Sequence, residues 1–503
     1  MSESEDPEAR LHKRGMKLAP KRATFLSGKV THAVGGVVEH AVSGHHRRRL
    51  RKLGWEHAFD ETELRYATGA TFPPRKGNKV EILVDGSTYL PAVAEEIKNA
   101  TSHVHLLGWC FSPDLYLTRG DEPVVLRNLL SDVARRIDVR LVVWEGAPLP
   151  LFRPTKRDVE SFMKVFRHNT GIEAETDSCV RFKYSHHEKV IVVDDRVAFV
   201  GGIDLTFDGG DPFDTPEHPS HGHIGWHDMA IRIEGPAVND VAEHFRMRWR
   251  GPGDERLPDP SPQDEVGDVE LQIIRTVPEK VFGPEENGDF SVLESYVRAL
   301  RSAERLVYIE NQFLWSPEIV SILCDKLKEP PTPEFRIVAL LPASPNDGAD
   351  VSRGAIASLI EADDGNERFL ACTVYARTGP LRDLVYVHAK ICIVDDRWMT
   401  LGSANLNERS LFNDSEVNVA TLDEGLARGT RLRLWSEHLE VEESELEGDP
   451  TAIIDERWRP IAKEQLEHLE NDQPLTHRLV MLPGVSARGR RLSGAIKSRV
   501  YDG

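Results

Sequence analysis

Two short constellations in this chain have the residue types for nucleophilic and acid–base chemistry. His187-Glu188-Lys189 with Asp194, and His388-Ala389-Lys390 with Asp395, both spell H-x-K-x4-D. The register continues past the motif, since Gly201-Gly202-Ile203-Asp204 falls at the same offset as Gly402-Ser403-Ala404-Asn405. One copy of so short a pattern is weak evidence, but two copies in fixed register mark a duplicated unit. Each motif leads into an apolar run, Val190-Ile191-Val192-Val193 and Ile391-Cys392-Ile393-Val394, which predicts a buried strand. Residues i and i+2 of a strand share a face. His187 and Lys189 are therefore expected to point one way together, and so are His388 and Lys390. If the two units pack about a pseudo-twofold axis, these faces meet in one site with two imidazoles and two ammonium groups. The ligand matched to that set is a phosphate ester. Lysines neutralise its non-bridging oxygens and the charge that builds in the transition state. One imidazole can attack phosphorus while the other protonates the leaving oxygen.

Asp194 and Asp395 complete the motifs and belong to the candidate catalytic set. Their surroundings, Asp194-Asp195-Arg196 and Asp395-Asp396-Arg397, read as hairpin turns. That context predicts that they orient structure through hydrogen bonds rather than touch substrate.

The paired motif resembles the signature of the phospholipase D superfamily, and further blocks resemble its eukaryotic-type branch. These blocks are Ser185 to Leu205, Trp226-His227-Asp228 with Ile233 to Pro236, Val307 to Phe313, and Val385 to Ser410 with Asp414-Ser415-Glu416. The resemblance spans about residues 78 to 440. It implies an α/β fold of two tandem phospholipase D-like α/β/α halves, related by a pseudo-twofold axis, with the active site at their interface. It implies a reaction through a covalent phosphatidyl-histidine, with His187 as nucleophile and His388 as the acid that later activates water. Lys189, Lys390, Ser403 and Asn405 would bind the phosphoryl group. An acidic residue beyond each motif would orient the imidazole of that motif, and the matching positions are Asp228 and Glu416. The implied activity is hydrolysis of a glycerophospholipid to phosphatidic acid and a free alcohol, with transfer to other alcohols open. A cardiolipin synthase-like phosphatidyltransferase uses the same intermediate and stays open, as does a nuclease of the same superfamily. No cofactor and no metal is expected, because His221, His223 and their neighbours lack Cys or carboxylate partners at zinc-site spacing. Eukaryotic members carry lipid-binding modules ahead of the catalytic part. Fewer than 80 residues precede the match here, so membrane targeting is not expected to come from such a module.

Composition narrows the partners. The net charge of −19 is segregated: residues 10–52 sum to +11, residues 1–9 to −4, and the rest to −26. An acidic body argues against nucleic acid, whereas the basic arm suits an anionic membrane surface. The arm reads equally as a solubilising tail. Cys110, Cys179, Cys324, Cys372 and Cys392 are odd in number and scattered, which predicts free thiols in a reducing compartment. The acidic N-terminus is the wrong charge for a secretory leader, and no apolar run reaches transmembrane length. The expectation is a cytoplasmic protein, peripheral on a membrane. Its oligomeric state is left open.

The elements that must position the motifs alternate in type. Strands are predicted at Val80–Val84, Val104–Trp109 and Val139–Trp144, with helices at Leu90–Ala100 and Val125–Ile137. Strands at Leu271–Arg275, Leu306–Phe313 and Arg336–Leu341 and a helix at Pro317–Lys328 follow in the second unit. The expected organisation is a flexible basic arm over residues 1–55, a first half over 56–250, a linker over 251–268, a second half over 269–440 and a C-terminal extension over 441–503. A polar insertion, Gly209 to His223, could roof the site or be a passive surface loop.

Overall fold

The computed structural model describes residues 43–147, 153–177, 185–207, 210–220, 224–249, 256–281, 285–343, 349–378 and 381–482. The basic residues 10–42, Cys179, His221, His223 and the cluster Arg488 to Arg491 lie outside them.

The first half contains β1 (Arg75–Val84), β2 (His103–Gly108), β3 (Asp138–Trp144), β4 (Glu173–Asp177), β5 (Val190–Val193), β6 (Val197–Gly201), β7 (Gly225–His227) and β8 (Met229–Glu234). The second half contributes β9 (Val269–Val277), β10 (Asp289–Phe290), β11 (Leu306–Asn311), β12 (Arg336–Leu340) and β13 (Phe369–Thr378). It continues with β14 (Leu381–Val387), β15 (Lys390–Val394), β16 (Trp398–Gly402), β17 (Glu416–Thr421) and β18 (Leu479–Met481).

The first sheet runs β1-β8-β6-β5-β2-β3-β4. The second runs β9-β17-β16-β15-β11-β12-β13. The two orders are the same, with β2, β3 and β4 parallel in one and β11, β12 and β13 parallel in the other. This is the duplication seen in the motifs, now as two tandem α/β halves. β1 and β9 join the sheets through Arg75↔Leu271 and Asn78↔Val269.

The motif strands are buried on both faces, as their unbroken β-branched runs require. Val190 and Val192 of β5, with Ile391 and Ile393 of β15, enter a core shared between the halves. Helices Ala237–Arg248 and Glu424–Leu439 fill the same core with Val241, Phe245, Leu434 and Trp435. Ile191 and Val193 face the outer core of the first half, and Cys392 and Val394 that of the second.

Three of the expected boundaries need correction. Residues 43–53 form a helix rather than a flexible arm. Its positions 46, 50 and 53 make one stripe: His46 stacks on Phe412 at 4.0 Å, Leu50 is buried, and Leu53 packs on the second-half core. Arg49 adds an ion pair to Glu279 at 2.5 Å. Residues 56–72, expected in the first half, also pack on the second. Trp55 and Phe59 enter its core, and Thr68 and Gly69 donate backbone N–H groups to Glu294 at 2.8 and 3.0 Å. Burying two such aromatics is worth about 1.5–3 kcal/mol each, which outweighs the charge pattern that suggested a tail. The C-terminal extension is part of the second half as far as residue 482. β18 pairs with β13 through Thr373↔Val480, and Ile454 and Trp458 lie in the shared core. The linker residues from 256 to 268 carry no helix or strand, and Val266 is tied to Gly77 at 2.8 Å.

Candidate active site

Both motif histidines precede their strands. β5 begins at Val190 and β15 at Lys390, so the shared-face rule of a regular strand does not act over His187 and Lys189. Straps across the interface set their positions. The N–H of His187 donates to Ser415 O at 3.1 Å, the N–H of Ser415 donates to Ser185 O at 3.1 Å, and the N–H of Ser185 donates to Asp414 Oδ1 at 2.8 Å. On the other side β14 runs parallel to β7, with Tyr386↔Trp226 and Val387↔His227. The carbonyl of His227 then accepts the N–H groups of His388 and Ala389, at 2.8 and 3.1 Å. Each histidine is carried by its own half and strapped to the other.

The orienting acids are exchanged in the same way. His187 Nδ1 lies 3.0 and 3.1 Å from the two carboxylate oxygens of Glu416, and His388 Nδ1 lies 2.6 Å from Asp228 Oδ2. The sequence reading paired each acid with the histidine of its own motif, and the structure corrects that to a crossed pairing. Glu416 opens β17, next to the strap on Ser185–His187, while Asp228 follows β7, next to the strap on His388. The straps decide which acid is within reach.

Lys189 Nζ donates to the carbonyl of His187 at 2.8 Å and stands 3.5 Å from Asp204 Oδ2. Lys390 Nζ donates to the carbonyl of His388. Asn405 donates from Nδ2 to Gln312 at 3.2 Å. Ser403 has a task beyond the one expected. Its hydroxyl donates to Glu416 Oε2 at 2.5 Å and accepts the N–H of Val417 at 3.0 Å, so it orients the acid. Asp194 and Asp395 stand at the far ends of the motif strands, in left-handed turn conformations with φ of 57° and 54°. Asp194 accepts the N–H groups of Thr101, Ser102 and His103 at 2.7–3.0 Å. Asp395 accepts those of Glu304, Arg305 and Leu306 at 2.7–2.8 Å. Both fasten the start of the neighbouring strand.

Several contributors lie in the blocks that resembled the family but were given no role there. Ser410 donates to Glu416 Oε1 at 2.6 Å from the short helix Glu408–Phe412, which Asn407 caps. Arg409 clamps Asp414 at 2.8 and 2.9 Å and so fixes the strap on Ser185. Trp226 lies against His388, with ring centres 4.5 Å apart. Ser410 and Arg409 fall inside the block that resembled the family, but their residue types alone suggested no role.

Charge and burial act together here. Burial, then Lys189, Lys390 and Arg409, hold His187 well below the usual imidazole range. Burial, then Lys390 and Lys189, do the same to His388. Each imidazole thus senses both ammonium groups, which places all four in one cluster built for an anion. Burial pushes Asp228 up to about 7 against the pull of Lys390. It also pushes Glu416 up, against the hydroxyls of Ser403 and Ser410.

Residues 96–225 match the family model described as "Phospholipase D", and residues 296–434 match "Cardiolipin synthase, PLD-like domain". Among curated relatives, phospholipase D A of Dictyostelium discoideum is 28% identical over 73% of this chain and 36% of its own length. Phospholipase D zeta 2 of Arabidopsis thaliana is 23% identical over 85% and 62%, and phospholipase D2 of Bos taurus 24% over 73% and 52%. The chain therefore spans between about a third and just under two thirds of these relatives. Among solved structures, phosphatidylserine synthase of Haemophilus influenzae Rd KW20 aligns with a TM-score of 0.50 at 13% identity, over 80% of this chain and 95% of that one. That likeness is one of fold. Two matched units, each carrying one copy of the histidine–lysine motif, make the chain a member of the phospholipase D superfamily, with phospholipases D of the eukaryotic type among its relatives.

Proposed function

We propose that the chain is a phospholipase D, acting on glycerophospholipids such as phosphatidylcholine. The observation that carries this reading is the pair of imidazoles, each held at Nδ1 by a carboxylate of the opposite half, in one cluster with two lysines. With Nδ1 engaged, each Nε2 is the reactive atom. His187 Nε2 attacks phosphorus, and the bond from phosphorus to the head-group oxygen breaks. His388 Nε2 gives that oxygen its proton, leaving a phosphatidyl-histidine and a free alcohol. His388 then takes a proton from water, whose oxygen attacks phosphorus and releases phosphatidic acid and His187. Lys189 and Lys390 offset the charge on the phosphoryl oxygens in both steps. An alcohol in place of water gives transphosphatidylation. The match of residues 296–434 to a cardiolipin synthase unit favours such transfer as the second reading.

No helix among the described residues is long and apolar enough to cross a membrane. In this reading a lipid substrate calls for peripheral contact with a bilayer, and the basic residues between 10 and 42 suit an anionic one. Cys372 and Cys392 are buried free thiols, which supports a reducing, cytoplasmic setting.

Incubation with mixed phospholipid vesicles, with and without ethanol, tests the reading by lipid mass spectrometry. We expect phosphatidic acid alone in water and phosphatidylethanol in its presence. Cardiolipin as the main product would replace the reading with the synthase, and no lipid product would reject both.

The Asp228–His388 pair adds a pH test. With one proton on the pair, His388 is an acid, and with none it is a base. Burial pushes the Asp228 carboxyl up to about 7, so the first step should weaken as pH rises through about 7, because the pair then enters it without its proton. The pair titrates as a unit. We expect a falling limb of kcat/KM near neutrality that moves in Asp228→Asn. A limb unchanged by that substitution would assign it to another group.

A further inference from the structure

Behind His388 the structure gathers a second set of chemistry-bearing side chains that the reaction does not use. Asp85 follows β1, His218 belongs to the described part of the polar insertion, His227 ends β7, and Glu437 lies on helix Glu424–Leu439. Asp85, His218 and His227 are fully buried, and the Glu437 side chain is 5% exposed. One donor atom from each of the four falls within 4.8 Å of the other three.

Three observations point to a cation at its centre. The first is spacing. His218 Nε2 is 3.1 Å from Glu437 Oε1 and 3.8 Å from Asp85 Oδ2, and His227 Nδ1 is 3.1 Å from Asp85 Oδ1 and 3.3 Å from Glu437 Oε1. A tetrahedral ion with bonds of about 2.0–2.1 Å separates its ligands by about 3.3 Å. The second is the outward side of each imidazole. His218 Nδ1 is 3.0 Å from Asp214 Oδ2, and His227 Nε2 is 2.8 Å from Glu310 Oε2. Each ring can therefore give one N–H to an outer carboxylate while its other nitrogen faces the inner carboxylates, which is how metal-bound histidines are held. Glu310 is itself fixed by His438 at 2.9 Å. The third is Asp85 Oδ2, a fully buried carboxylate oxygen that faces the cluster without a hydrogen-bond partner. A lone pair on each inward nitrogen would repel the two carboxylates unless a cation lay between them.

We propose that Asp85, His218, His227 and Glu437 bind one divalent transition-metal ion, zinc by geometry, in a closed structural site. Two carboxylates and two neutral imidazoles leave a dication electrically neutral. Four protein ligands leave no open position for substrate, so its role is to hold structure. The site joins the end of β1, the insertion and β7 of the first half to a helix of the second. Its ligands also position the machinery: the carbonyl of His227 carries the strap on His388, and Asp85 Oδ1 accepts the N–H of Asp228 at 3.2 Å. Sequence gave no hint of it, because the four residues are scattered without zinc-type spacing. The proposal is independent of which reaction the active site runs.

The test uses the full chain, purified without a histidine tag, dialysed against zinc chloride and passed over a desalting column. Plasma mass spectrometry should find about one zinc per chain, and stripping with a strong chelator should lower Tm by several degrees. His218→Ala should lose the ion. Asp85→Asn, nearly isosteric and gentler on folding, should weaken retention at least tenfold in competition with a chelating dye. Loading the wild type with cobalt should give the visible d–d bands of a four-coordinate site, absent in Asp85→Asn. A wild-type chain that retains no ion after loading overturns the proposal and leaves a buried network of protonated histidines. Equal retention by wild type and both variants places the ion elsewhere and overturns it too.

Discussion

Replacing either motif histidine should abolish turnover almost completely, and replacing both should cost little more. His187→Ala removes the nucleophile and His388→Ala the acid, each expected to lower kcat by about 10⁴–10⁶-fold. Groups that act as one unit are not additive, so the double variant should sit within about tenfold of the worse single one. The geometry demands this, since each imidazole is strapped to the opposite half and held by a carboxylate of that half, and no second complete set exists among the described residues. Two separate sites would leave each single variant near half activity. A substrate whose leaving group needs no proton separates the roles. His388→Ala should still form a phosphatidyl adduct with it, visible by mass spectrometry, and His187→Ala should not. An adduct found on His388 in the wild type would reverse the assignment.

The crossed acids give the second large effect. An amide in place of an orienting carboxylate favours the wrong imidazole tautomer and costs up to about 10⁴-fold in comparable sites. With the same activated substrate only the nucleophilic step is read. Glu416→Gln should then slow adduct formation by about 10²–10⁴-fold, because Glu416 holds His187 Nδ1. Asp228→Asn, whose partner is His388, should slow it by less than about tenfold. Pairing within each motif predicts the opposite ranking, so the two variants measured side by side decide between the arrangements.

That exchange also shows where sequence stops being legible. The residue types His, Lys and acid, together with their doubled spacing, announced a phosphoryl site, because the chemistry leaves few other uses for that set. The strands around them were equally readable, since Val190 to Val193 and Ile391 to Val394 are buried on both faces. Which acid serves which imidazole was not readable. Asp228 follows the first motif along the chain, yet the parallel pairing of β7 with β14 delivers it to His388. The resemblance implied Ser403 as a phosphate donor, but not the bond by which its hydroxyl holds Glu416. Residues 43–55 were read by their charge, while three positions on one helical stripe decide where they pack. For the acids and for residues 43–55, a contact between distant segments overrode a local cue.

The packing of residues 43–72 on the second half has a consequence for synthesis. Thr68 reaches its partner Glu294 across 226 residues of sequence. At ribosomal rates of about 5–20 residues per second, that partner emerges roughly 10–45 s later. Through that interval Trp55 and Phe59 have no native surface to cover them, and the first half folds while its leading segment waits. The nascent chain therefore presents an apolar, basic segment to chaperones for far longer than the sheets take to form, and completion of the second half is the event that retires it.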